Sequence, residues 1–188
     1  MVRNTEWILT KHRVIEKVYT LYGALSSQMQ SALLLQPAIL PAEVLKISPK
    51  ISKGEQYEQL PYVVLDYPRF FSKSHVFAIR TFFWWGYYFS STLHLKGKFQ
   101  QSWAEKIVKA VRANKISGYY LSTSGNEFDF DLSGHNYSRL TGKSKLVAQD
   151  LLNHPFIKLS NKVSFNNWNK AGEQLFGLFQ NFIEMSLI

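Results

Sequence analysis

Apolar residues recur at three- and four-residue spacing through Val14, Val18, Leu21, Tyr22, Leu25, Met29, Ala32 and Leu33. That period lines one face of a helix, so a long amphipathic helix is predicted over 11–34. Thr10 is placed to cap it, and Pro37 and Pro41 lie beyond its end. A second helical stripe, Trp103, Ile107, Ala110 and Val111, predicts a helix over 102–115, with Ser102 and Glu105 in capping-box spacing. Shorter helices are predicted over 143–152 and, after Asn167 as cap, along Trp168, Gly172, Leu175, Phe176, Phe179 and Ile183 to the C-terminus.

Between the helices the period changes to two. Tyr62 to Leu65, 75–84 and 87–96 are rich in β-branched and aromatic residues and predict strands, the first near a sheet edge. Further strands are predicted at 117–123 and 127–132, joined by a hairpin-like turn at Ser124, Gly125 and Asn126, and at 156–165. Residues 35–60 hold Pro37, Pro41, Pro49 and Gly54 and read as a long irregular connection, a candidate lid, with a helical turn near Glu43. Terminal helices with hairpin-paired strands between them predict one α+β domain over 1–188, an antiparallel sheet with helices packed on it.

The densest feature is RTFFWWGYYF, residues 80–89. Side chains alternate across a strand, so the path of the chain at Gly86 decides which of them meet. A bend without a tight turn puts Arg80, Trp84, Tyr88, Thr92, His94 and Lys96 on one face, a polar and aromatic wall suited to a small-molecule pocket. A two-residue turn puts Arg80 and His94 on opposite faces. Cross-strand aromatic packing accounts for the same rings without any ligand.

Charge changes this picture. The chain of 188 residues carries a net charge of +9. Residues 61–120 hold nine Lys/Arg against Asp66 and Glu105, so seven of the nine excess positive charges fall in the segment that contains the aromatic run. A basic excess steers anionic partners. Basic residues flank the run without interleaving with it, and no RNP-type signature is present, so nucleic acid is the disfavoured partner. The chain has no cysteine, which removes disulfides and thiolate chemistry. Charged residues interrupt the N-terminal segment and the apolar run is too short to span a bilayer, so a soluble cytoplasmic protein without a membrane partner is expected.

Three patches of candidate chemistry remain. Arg80, Trp84, Tyr88, His94 and Arg139 are the expected contacts of a small anionic ligand, arginine fixing the charge and the rings covering an apolar part. Glu127, Asp129 and Asp131 alternate along NEFDFD and are candidate ligands of a divalent cation, which would make the chain a metal-dependent phosphoester hydrolase. His135, Arg139, Lys143 and Lys145 surround a GKS tripeptide, but Tyr137 stands where a phosphate-binding loop requires glycine. There is no H-E-x-x-H, G-x-S-x-G or dinucleotide glycine motif. These residues identify no catalytic group and no cofactor. The leading expectation is a protein that binds a small anionic ligand or partner at a basic, aromatic-rich sheet face.

Overall fold

The computed structural model describes residues 5–188. In chain order its elements are α1 (Thr5–Leu34), α2 (Ala42–Leu45), β1 (Lys50–Tyr57), β2 (Leu60–Phe71), β3 (Val76–Trp84), β4 (Tyr88–Lys96), α3 (Lys98–Arg112), β5 (Tyr120–Ser122), β6 (Tyr137–Arg139), α4 (Ala148–Asn153), β7 (Ile157–Ser164) and α5 (Ala171–Glu184). A 3₁₀ turn precedes α5 and another follows it. The strands form one seven-stranded sheet in the order β1-β2-β3-β4-β7-β5-β6. Every strand pairing in it is antiparallel. This is the expected α+β architecture, with long helices near both ends.

The two faces of the sheet differ. Odd-numbered positions of the central strands, among them Val63, Leu65, Phe77, Ile79, Phe83, Phe89, Leu93, Leu159 and Val163, form one buried core with α1, α3 and α5. Helix α1 contributes Val18, Tyr22, Leu25 and Met29, at the predicted spacing. Even-numbered positions form a second, smaller cluster of Val64, Phe82, Trp84 and Tyr88. Among the described residues no helix covers this cluster; Phe130 and Leu132 from the chain between β5 and β6, with Tyr137 of β6, do.

Several boundaries differ from the sequence expectation. Helix α1 already runs from Thr5, and Thr10 lies inside it, where its hydroxyl accepts from Arg13. Residues 35–60 are not irregular throughout: 50–57 form the edge strand β1. Its alternation is faint because an edge strand is half solvated and its charges discourage further pairing. The Tyr62 ring lies over Gly54, and a Cβ there would meet it at 2.4 Å, so the ring would have to move. Strand β2 is longer than expected and lies inside the sheet, with β1 outside it. Helix α3 begins at Lys98 rather than Ser102, which bonds back to the Phe99 carbonyl instead of capping. Gly97, at φ 63°, turns β4 directly into this helix, and the Lys98 N–H at its start donates to His75 Nδ1 at 3.2 Å. Helix α4 is shorter than predicted, and α5 is led in by a 3₁₀ turn capped by Ser164 rather than by Asn167.

The largest correction is at 127–132, which is not a strand. The hydroxyl of Ser124 and the side-chain oxygens of Asn126, Asp129 and Asp131 each accept from the backbone N–H two residues on. Such local bonds compete with a β-ladder. Strand β5 pairs with β6 instead, and 123–136 becomes a long excursion between them.

Two glycines should respond to alanine with opposite sign. At Gly97 a Cβ would meet the Ser74 carbonyl oxygen at 2.3 Å on a left-handed backbone, whereas at Gly23 in α1 it meets nothing within 4 Å. Chemical unfolding should show Gly97→Ala destabilised by about 2 kcal/mol or more and Gly23→Ala stabilised by up to about 1 kcal/mol.

Candidate functional site

The β3–β4 register pairs Trp84 with Tyr88 and leaves Trp85, Gly86 and Tyr87 as the connection, with Gly86 at φ 81°. A three-residue connection preserves parity. Arg80, Trp84, Tyr88, Thr92, His94 and Lys96 therefore share one face, in the register Arg80 to Thr92 and Ala78 to His94. Their neighbours on β7 extend the same face with Ser160 opposite Thr92 and Lys158 opposite His94. Thr92 and Ser160 share a hydroxyl hydrogen bond of 2.8 Å.

This face is roofed rather than open: Trp84 is 2% exposed and Tyr88 6%. Residues 127–132 lie across it as a strap, and side chains from the sheet satisfy the strap's backbone. Tyr57 Oη accepts from the Phe130 N–H at 2.8 Å. Tyr88 Oη accepts from the Leu132 N–H at 2.8 Å and donates to the Phe130 carbonyl at 3.2 Å. Tyr137 Oη donates to the Asp129 carbonyl at 2.8 Å. Lys158 Nζ donates to the carbonyls of Glu127 and Asp129. The Phe130 ring stacks on Phe82 at 4.9 Å, with Lys158 Nζ 4.0 Å and the Arg80 guanidinium 5.3 Å from its centre. Burial pushes the Tyr57 hydroxyl up to about 12 and raises those of Tyr88 and Tyr137, so all three remain hydroxyls through the physiological range.

The charges beneath the strap are matched internally. Arg80 makes a bidentate pair with Asp66, its cross-strand neighbour, at 2.7 and 2.9 Å. Lys96 is paired with Glu127. Burial lowers Lys158 to about 7, opposed by Asp129 and reinforced by Arg80. Burial also lowers His94 to about 3, with Lys158, Arg80 and Lys96 adding to the effect, and its Nε2 is buried without a hydrogen-bond partner. His94 is therefore a neutral imidazole packed edge-on against Phe156. Lys158 was not singled out in the sequence, because in IKLSNKVS it reads as one of the polar residues alternating with apolar ones.

The middle-third basic excess is likewise dispersed in space. Lys98 pairs with Glu43, Arg69 donates to the Ser48 carbonyl and Lys106 to the Ser186 carbonyl. Arg139 does not join Arg80. Both sit in one cross-sheet row, Arg80–Thr92–Ser160–Tyr120–Arg139, but four strand spacings apart, about 19 Å. The carboxylates of NEFDFD do not converge either. Glu127 is held by Lys96, Asp129 accepts from the Asp131 N–H, and Asp131 accepts from the Ser133 N–H and hydroxyl. Among the described residues no group of three or more His, Asp or Glu is placed to hold a metal ion. No described helix is long and apolar enough to cross a membrane.

Open space lies at the rim of the roofed face. Strand β5 meets β7 only at Leu159 and Ser160, so β7 has no strand partner on that side from Lys162 to Ser164. A groove of about 680 Å³ occupies this position between β7, the β3–β4 connection and α5. Tyr87, Tyr88, Lys162, Ser164, Asn167 and Gln174 are among the residues that line it, and Gly177 and Asn181 on α5 complete the far wall. Tyr87 is half exposed and stacks on Trp84 at 3.8 Å. Lys162 Nζ lies 5.5 Å from the centres of both the Tyr88 and Tyr120 rings and has no carboxylate partner among the described residues. Tyr87 and Lys162 were missed in the sequence, since Lys162 comes near Tyr88 only through the long-range pairing of β7 with β4.

Comparison with known proteins gives no matching family model, no matching curated protein and no matching solved structure.

The buried imidazole makes acid stability a readout of the roofed face. Folded His94 takes its proton only near pH 3, the unfolded side chain near 6.5. The unfolded state binds more protons between those values, so His94 makes stability fall as pH drops from 6.5 towards 3, at up to about 1.4 kcal/mol per pH unit. His94→Phe should remove that component, seen as a pH-dependent difference in urea midpoints between wild type and variant. A constant difference would show that His94 titrates normally.

Proposed function

We propose that the protein binds a small anionic molecule with a planar apolar body, in the groove between the free end of β7 and α5. The observation that carries this is Lys162, a cation without an acidic partner among the described residues, held between two tyrosine faces at the wall of this groove. A ligand carboxylate or similar anion would pair with its ammonium, and the planar part would lie along Tyr87 and the Tyr88 ring. Asn167, Gln174 and Asn181 offer neutral donors and acceptors, and the lining contains no carboxylate to repel an anion. A mostly apolar concave site with a few polar groups, within about 300–1,000 Å³, is the usual form of a small-molecule site.

Gly177 supports the same reading. Glycine in a helix interior costs about 1 kcal/mol relative to alanine. Here a Cβ would meet nothing within 4 Å, so no packing demand accounts for it. What a side chain at 177 would occupy is the groove itself. The reading is of binding rather than catalysis, because Lys162, Tyr87 and Tyr88 are the titratable residues of the lining and the Tyr88 hydroxyl is committed to the strap.

Titration with 2-naphthoate, followed by tryptophan and tyrosine fluorescence, tests this. Saturable binding is expected, with 2-naphthol at least tenfold weaker. Lys162→Gln should weaken the naphthoate about tenfold, equivalent to about 1.4 kcal/mol. Gly177→Leu should abolish binding while leaving the thermal midpoint at or above that of the wild type. Equal affinity for acid and naphthol, or full affinity in Gly177→Leu, would contradict the proposal. Retention of double-stranded DNA at low salt with a steep salt dependence would favour a polyanion partner instead.

A further inference from the structure

A second cavity, of about 370 Å³, lies beyond the other end of the β5–β7 pairing from the groove just described. Its origin is topological. β5 pairs with β7 at Tyr120–Ser160 and Leu121–Leu159 and then departs, so Ser122 and Thr123 part from Ile157 and Phe156. The chain after β6 and helix α4 closes the gap from the outside.

The lining divides by chemistry. Leu121, Leu140, Leu146, Leu151, Phe156 and Ile157 make an apolar floor. Arg139 and Lys145 stand at the rim, exposed, and neither has an acidic partner among the described residues. The hydroxyl residues Ser122, Thr123, Ser138 and Ser144 accompany them. The one carboxylate of the lining, Asp150, accepts from the Val147 N–H at 3.3 Å. Ser122 is more than nine-tenths buried and its hydroxyl has no hydrogen-bond partner. A buried hydroxyl left without a partner costs free energy, typically about 1–3 kcal/mol.

We propose that this cavity is a second ligand site, for a phosphate monoester of a small apolar group. The phosphate would take the fork of Arg139 and the ammonium of Lys145, with the serine and threonine hydroxyls as further donors. The apolar body would fill the floor towards Phe156. A planar guanidinium matches two phosphate oxygens at once. The site is independent of the naphthoate groove, since the two share no lining residue.

Isothermal titration with phenyl phosphate tests the assignment, with inorganic phosphate and phenol as the two halves of the probe. With the other groove closed by Gly177→Leu, binding at one site per chain is expected, at least tenfold tighter than either half. Arg139→Gln and Lys145→Gln should each weaken it about tenfold or more, and both side chains are exposed enough that folding is spared. Lys162→Gln, in the other groove, and Lys143→Gln, outside the lining, should leave it unchanged. No binding, or binding that survives both Arg139→Gln and Lys145→Gln, would overturn the proposal. So would binding lost in Lys162→Gln alone, which would place the phosphate in the other groove. Inorganic phosphate binding as tightly as the ester would overturn the role of the apolar floor.

Discussion

Backbone groups that leave a β-ladder must find other partners, and in this protein they find tyrosine hydroxyls. The 127–132 strap crosses a sheet face with no strand beside it, and Tyr57, Tyr88, Tyr137 and Lys158 take up its N–H and C=O groups. Burying those groups unpaired would cost a few kcal/mol each. The same tyrosines bring apolar rings, so one residue type both fills the second core and fastens its cover. The density of aromatics around Gly86 follows from this double duty: Phe82 and Trp84 form the floor, and Tyr88 is floor and anchor together.

Once the strap is in place, the charges have little freedom. Arg80 beneath it must have Asp66, and Lys158 must have carbonyl oxygens, because an unpaired charge in that position would be expensive. Of the cations clustered along 61–120, Arg69, Arg80, Lys96, Lys98, Lys106 and Lys109 find partners within the fold. Lys162 and Arg139, without acidic partners among the described residues, stand where the pairing of β5 with β7 stops at either end. Short β5 touches β7 at two positions and leaves open space at both of its ends. The free cations and the free volume coincide because both arise where strand pairing stops.

Much of the fold was legible from periodicity. The stripe in α1, the continuous apolar run of β3 and the alternation in β4 and β7 are strong because each element buries one face or more. Strand β1 was hidden because an edge strand needs neither alternation nor bulk. The strap was misread as a strand because Glu127, Asp129 and Asp131 do alternate with Phe128, Phe130 and Leu132; the competing Asx turns were visible only in residue type, not in period. The shared face of Arg80, Trp84, Tyr88 and His94 hung on the length of one connection, which Gly86 marks without measuring. That this face would be covered, and that the openings would lie beside Lys162 and Arg139, depended on long-range pairing of β7 with β4 and β5, for which a single chain carries no local sign.

The anchoring of the strap is the claim on which the rest stands, and amide hydrogen exchange tests it most directly. The N–H groups of Phe130 and Leu132, bonded to Tyr57 and Tyr88 hydroxyls, should exchange as slowly as those of the central strands. The N–H of Phe128, held only by a local turn to Asn126, should exchange much faster. If the Phe130 and Leu132 amides exchange at the rate of Phe128, the strap is not fastened to the sheet. The wall of Arg80, Trp84, Tyr88 and His94 would then be open to solvent, and the ligand site would have to be sought there rather than at its rim.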